Sequence, residues 1–169
     1  MKVLLDSTYF FPAIDIEITE GWSKTNLITL LRNESYVLFY ADLSIFEIYA
    51  KAMKLIIQKK LDIDIESVQK GLQGILNSPR LHKLNWWEHL YETELVLKLK
   101  EIHNDSIDCT LFYLAIVNCD IFATYDEIFV NKIQGKEFVQ AVIQQTNPHF
   151  KIWMGNLSHD PFELFPSKR

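Results

Sequence analysis

Short apolar runs, each followed by helix-patterned chain, constrain the fold more than any other feature of this 169-residue sequence. The first is Val3-Leu4-Leu5, which begins almost at once and stops at Asp6. The second, residues 36–41 (YVLFYA), is continuously apolar and aromatic. A strand with one wet face alternates polar and apolar residues. A continuous run is what a strand buried on both faces needs, and such burial is typical of parallel sheets. Residues 120–124 and 150–154 complete the series, the latter reading as the last strand.

Apolar residues at helical spacing fall between these runs, predicting helices over 21–33, 44–61, 64–77, 87–102, 107–119, 126–132 and 135–145. Asp64 is positioned as an N-cap, and Ser78-Pro79 as the stop of that helix. Residues 8–14, broken by Pro12, read as a turn or short helix. Residues 80–86 read as a short strand or a connection, and 156–169 as a tail over the surface. Strands alternating with helices predict an α/β fold, a three-layer α/β/α sandwich around a central, mostly parallel sheet.

Composition supports one domain. Hydrophobic residues make up 49% and charged residues 23%, with five glycines and five prolines, so a disordered or collagen-like chain is excluded. Cys109 and Cys119 are too few for a disulfide framework or a thiolate metal site, and they fit a reducing compartment. The apolar start is cut short by Asp6, unlike a signal peptide, and no uncharged apolar stretch is long enough for a membrane span. A cytoplasmic location without membrane association is the expectation.

In an open α/β sheet, ligands bind beyond the carboxyl ends of the strands. Asp6 ends the first strand, and Asp126 follows the strand at 120–124. Glu47 lies one turn into the helix after 36–41, and Asp108 opens the helix that leads into 120–124. The topology therefore brings four carboxylates to one rim. Like charges packed together repel unless a cation sits among them, and hard oxygen donors suit Mg²⁺ or Mn²⁺. Three of the acids also have local structural readings. Ser44-Ile-Phe-Glu47 has the form of a capping box, Asp108 is placed to favour a helix dipole, and Asp126 is placed to cap a helix. Asp6 has no such reading, because a charge directly after a buried strand is rarely buried without a partner.

Four segments resemble the motifs of the PIN-domain family. Val3-Leu-Leu-Asp6-Ser7-Thr8 is similar to its opening strand and D-[ST]-[STN]. Leu43-Ser-Ile-Phe-Glu47 is similar to its second acidic position, and Asp108-Cys-Thr-Leu-Phe-Tyr-Leu-Ala115 to its third. Phe122-Ala-Thr124-Tyr-Asp126-Glu-Ile-Phe129 resembles the fourth, eighteen residues after Asp108. The resemblance covers residues 1–133. The remaining 134–169 form an extension packed on the same domain. It implies a Mg²⁺- or Mn²⁺-dependent endoribonuclease in which Asp6, Glu47, Asp108 and Asp126 hold metal and Thr8 and Thr124 orient the carboxylates. Cleavage would leave a 3′-hydroxyl and a 5′-phosphate. The resemblance also implies an RNA substrate, a homodimer, and, if the chain is a toxin, an antitoxin partner.

Other features read more plainly. The five histidines show no i, i+3 or i, i+4 pair, which argues against zinc. His103 reads as a loop-capping residue, and Asp105 and Glu127 as solvated loop positions. Trp86-Trp87 reads as one core and one interface residue. Tyr9, Phe10 and Phe11 fit a substrate groove or the core equally well. Lys51 and Lys54 share a helix face within reach of the acids, although a solvated face is the commoner meaning.

Net charge is −5, against a nucleic-acid partner at first sight. Setting aside the four candidate ligands, 17 basic residues face 18 acidic ones, so the negative balance concentrates in the proposed site. Two other readings compete: a non-catalytic PIN-like RNA-binding or assembly subunit, and a receiver-type or phosphatase domain with Asp6 as nucleophile. The latter is weaker, since Thr8 stands where a phosphatase D-x-D needs its second acid and no receiver-type acidic pair precedes Asp6.

Overall fold

Strand residues alternate between two apolar cores, one on each face of a single sheet. Leu4, Phe122 and Ile152 pack into one core. Their neighbours Val3, Leu5, Leu38, Ile121, Ala123 and Trp153 pack into the other. This two-sided burial is what the continuous apolar runs encode. The molecule is described by a computed structural model covering residues 1–16, 21–59, 64–88, 93–155 and 162–163.

The strands are β1 (Lys2–Leu5), β2 (Val37–Ala41), β3 (Leu81–Leu84), β4 (Ile121–Thr124), β5 (Lys151–Met154) and β6 (Phe162–Glu163). Their order is β3-β2-β1-β4-β5-β6; β1 to β5 run parallel and β6 is antiparallel to β5. A 3₁₀ helix (Ser7–Ile14), α1 (Lys24–Arg32), α2 (Asp42–Ile57) and α3 (Ile65–Leu76) supply the second core. α4 (Thr93–Ile102), α5 (Ser106–Asn118), α6 (Glu127–Ile133) and α7 (Glu137–Thr146) supply the first. The result is the expected three-layer α/β/α sandwich. Among the described residues, no helix is long and apolar enough to cross a membrane.

Several local expectations are refined. β3 is a strand whose polar His82 and Lys83 suit its position at the sheet edge. Asp64 caps α3 as expected, its side chain accepting from Ser67 N at 2.6 Å. Residues 89–92 of the predicted 87–102 helix lie outside the described residues, and 86–88 form a 3₁₀ turn. Residues 150–154 do not supply the last strand, because β6 follows and pairs with β5; the rest of the 156–169 tail lies outside the described residues. α7 and β5 share the sheet and core of the preceding residues: Val139 and Ile143 are buried among residues of α5, and β5 pairs with β4.

β1 is the pivot. The chain goes from β1 to β2 and β3 on one side, then returns to place β4 on its other side. This reversal opens a crevice at the carboxyl ends of β1 and β4.

Candidate metal centre

Asp6 leaves β1 into that crevice. Its amide donates to Ala123 O at 2.9 Å, holding it against β4. The residue is only 2% exposed. A carboxylate so buried needs donors, and three hydroxyls supply them. Ser7 Oγ lies 3.1 Å from Oδ1, while Thr8 Oγ1 and Thr124 Oγ1 donate to Oδ2 at 2.8 and 2.9 Å. Thr8 and Thr124 thus both hold Oδ2 of Asp6. Thr124 Oγ1 also accepts from Asp126 N at 3.0 Å, joining the two strand ends.

Ser7, which the sequence left without a role, links two of the acids. Its Oγ lies 2.5 Å from Glu47 Oε2 as well as near Asp6. α2 presents Glu47 here because the helix begins at Asp42, and Ser44 does not cap it. The capping-box expectation is corrected: Ala41 is the N-cap, Ser44 Oγ is buried without a partner among the described residues, and Asp42 Oδ1 instead accepts from Leu43 N and Trp86 N. Glu47 is free to turn inward.

Asp108 lies in the first turn of α5, whose N-cap is Asp105. Asp105 Oδ1 accepts from Ile107 N at 2.8 Å, a capping role in keeping with its exposed loop position. One ligand atom from each of Asp6, Glu47 and Asp108 lies within 4.8 Å of the others. Asp126 is not part of this trio. It caps α6, with Oδ1 accepting from Phe129 N at 2.8 Å, and it groups with Asp108 and His103, again with ligand atoms inside 4.8 Å. The four sequence-predicted acids are therefore arranged as two overlapping trios sharing Asp108, and the second trio contains a histidine.

His103, which the sequence places near the site and reads as loop-capping in preference to a proton donor, makes its ring-nitrogen contacts with the side chains of Asp108 and Lys132. It is 8% exposed, and its Nε2 lies 2.7 Å from Asp108 Oδ2, so it faces the cluster. Its spacing of five from Asp108, across a helix start, gave no ligand pattern to read.

Crowding and burial keep these acids from ionising easily. Burial pushes Asp108 up to about 8, helped by the charges of Asp6, Asp105 and Asp126. Glu47 is pushed up to about 7, chiefly by burial, with the Ser7 hydrogen bond opposing and the charges of Asp6 and Asp108 adding to it. Asp6 is raised by burial against the pull of its hydroxyl donors. Burial, then the positive charge of Lys132, lowers His103. No Lys or Arg ion-pairs with Asp6, Glu47, Asp108 or Asp126 among the described residues. Glu47 Oε1, Asp108 Oδ1 and Asp126 Oδ2 accept no hydrogen bond there either. Partly buried carboxylate oxygens with free lone pairs fit a divalent cation.

The surroundings are mostly core. Tyr9, Phe10 and Phe11 are fully buried, which excludes the groove reading. Phe11 carries Lys51 Nζ 4.5 Å above its ring, and Lys51 is near enough to lower the proton affinity of both Glu47 and Asp108. Trp86 packs against the first core and Trp87 is exposed. Against models of protein families and against curated protein sequences, the chain shows no match.

Proposed function

We propose that the chain is a divalent-metal-dependent endoribonuclease, with Mg²⁺ or Mn²⁺ as its cofactor and cytoplasmic RNA as its substrate. The observation that carries this reading is the convergence of Asp6, Glu47 and Asp108 from three elements on one sheet-end crevice, with no lysine or arginine ion-paired to them among the described residues. A dication held there would neutralise phosphate charge and lower the pKa of an attacking water. The protein's part is to hold that centre rigid. Thr8 and Thr124 fix one Asp6 oxygen, Ser7 ties Asp6 to Glu47, and the amide of Asp126 is anchored on Thr124. The similarity of residues 1–133 to PIN-domain motifs names the substrate class, and the concentration of negative charge in the site removes the objection to RNA.

The test is cleavage of labelled single-stranded RNA with and without Mn²⁺, by the wild type and by Asp6→Asn. Metal-dependent cleavage lost in the variant supports the proposal. A folded wild type that cleaves under no divalent metal refutes the enzymatic reading and favours the non-catalytic RNA-binding alternative. Equal cleavage by both proteins assigns the signal to a contaminant.

A further inference from the structure

We propose that His103, Asp108 and Asp126 form a second cation position, whose imidazole nitrogen makes it select a transition-metal dication over Mg²⁺. This rests on the reading of Asp6, Glu47 and Asp108 as a metal centre, and goes beyond it by assigning a nitrogen donor and a metal preference. The three ligand atoms lie within 4.8 Å of one another, and Asp108 is common to both trios. A carboxylate shared between two trios is placed to bridge two cations. Asp126 keeps Oδ2 free because Oδ1 alone caps α6. The His103 ring also packs edge-on with Phe129, their centroids 4.9 Å apart.

The hydrogen-bond pattern shows what must change on binding. A lysine ammonium can only donate. Lys132 Nζ, 3.5 Å from His103 Nδ1, makes Nδ1 the acceptor, so Nε2 carries the ring proton and donates it to Asp108. Binding through Nε2 needs that one proton to move to Nδ1, with no net loss from the ring. Lys132 is exposed and turns to solvent when Nδ1 becomes a donor. Carboxylates alone suit Mg²⁺, whereas an imidazole favours later divalent metals, and Mg²⁺ demands a strict octahedron of hard oxygens. The Asp6–Glu47–Asp108 trio is all oxygen and would accept either kind of ion.

Mn²⁺ serves as the probe, because its electron spin reports bound nitrogen. The full-length wild type is loaded with Mn²⁺, bound ions are counted by titration, and the electron spin-echo envelope is recorded with natural-abundance and with ¹⁵N-labelled histidine. The expected result is two ions per chain. One resists displacement by excess Mg²⁺ and shows histidine nitrogen modulation that changes on ¹⁵N labelling. His103→Gln should abolish that modulation and weaken this ion by roughly tenfold or more, leaving the other in place. Mn²⁺ bound by the wild type without histidine modulation overturns the inference and leaves His103 as a hydrogen-bond donor to Asp108, while the oxygen trio stands. If the wild type binds no Mn²⁺ at all, the metal-centre reading fails and takes this inference with it. The wild-type spectrum decides the matter even if His103→Gln folds poorly.

Discussion

Raising the pH of the metal-free protein should destabilise it, and a divalent cation should restore the loss. Asp108 sits at about 8 and Glu47 at about 7 in the fold, against ordinary values of 3.8 and 4.5. A carboxyl whose proton affinity is higher folded than unfolded favours the fold at low pH, and that stability is lost as pH rises through the folded value. Between about pH 6.5 and about pH 8.5 the unfolded groups are already ionised, while in the fold both give up their protons. Linkage over that window gives roughly 2 kcal/mol for Asp108 and roughly 1 kcal/mol for Glu47. The two share a cluster and are partly solvated, so about 3 kcal/mol is an upper bound on the sum. His103 acts in the opposite sense, because its proton affinity is lowered in the fold, but its effect is felt mainly below its ordinary 6.5. In urea at a slope of about 2 kcal/mol per molar, the midpoint should fall by about 1 M across the window. Mg²⁺ or Mn²⁺ at about a hundred times its dissociation constant should return about 3 kcal/mol at the upper pH, and less at the lower, where protons compete for the same oxygens. Urea denaturation in chelator and in metal, followed by tryptophan fluorescence, reads both effects. Metal-free stability that is flat or rises over this range, or that gains nothing from either metal at high pH, would refute the reasoning.

Substitutions at three positions separate the roles of individual groups. Thr124→Val removes the donor to Asp6 Oδ2 and the acceptor for Asp126 N, and should cost about 1–3 kcal/mol in chemical denaturation and about tenfold in calorimetric Mn²⁺ affinity. Asp126→Asn keeps a capping oxygen for Phe129 N, so its melting temperature in chelator should stay near wild type while metal affinity falls; Asp126→Ala should lose metal affinity and a further 0.5–2 kcal/mol or so of stability. Gly71→Ala probes the scaffold alone. An added Cβ would sit 2.2 Å from Ala13 O, a backbone atom that cannot swing aside, so denaturation should show a loss of about 1–3 kcal/mol.

The sheet was legible because its strands are buried on both faces, and two-sided burial writes itself as continuous apolar runs. The edges were not. Leu81-His-Lys-Leu84 is half polar because one side of β3 lacks a neighbouring strand, so its pattern matches a loop as well as a strand. In the site, Asp6 stood out because a charge directly after a buried strand conflicts with its surroundings. Ser7 and His103 did not, because their roles depend on partners the local pattern does not reveal. Ser7 bridges to a glutamate forty residues away, and His103 meets Asp108 only because the chain breaks between α4 and α5. The Ser44–Glu47 spacing misled for the complementary reason: it satisfies a capping pattern, but packing starts α2 two residues earlier, at Asp42.

Asp108 and Asp126 show that the local and the functional readings of an acid need not compete. Both lie at helix N-termini, where the backbone dipole favours negative charge. Lys51 adds a further positive influence on Asp108. Even so, Asp108 remains pushed up to about 8, because Lys51 does not offset burial and three neighbouring carboxylates. Asp126, capping a helix through one oxygen, lies outside the Asp6–Glu47–Asp108 trio. The chain thus supplies donors to both oxygens of Asp6 but to only one oxygen each of Glu47, Asp108 and Asp126, and among the described residues the other oxygen of those three accepts none. A structural cluster would be neutralised by a lysine or arginine, as the exposed Glu66–Lys70 and Glu94–Lys98 pairs on α3 and α4 are. Here no lysine or arginine is ion-paired to the cluster among the described residues, and a divalent cation would supply compensating charge in the smallest volume.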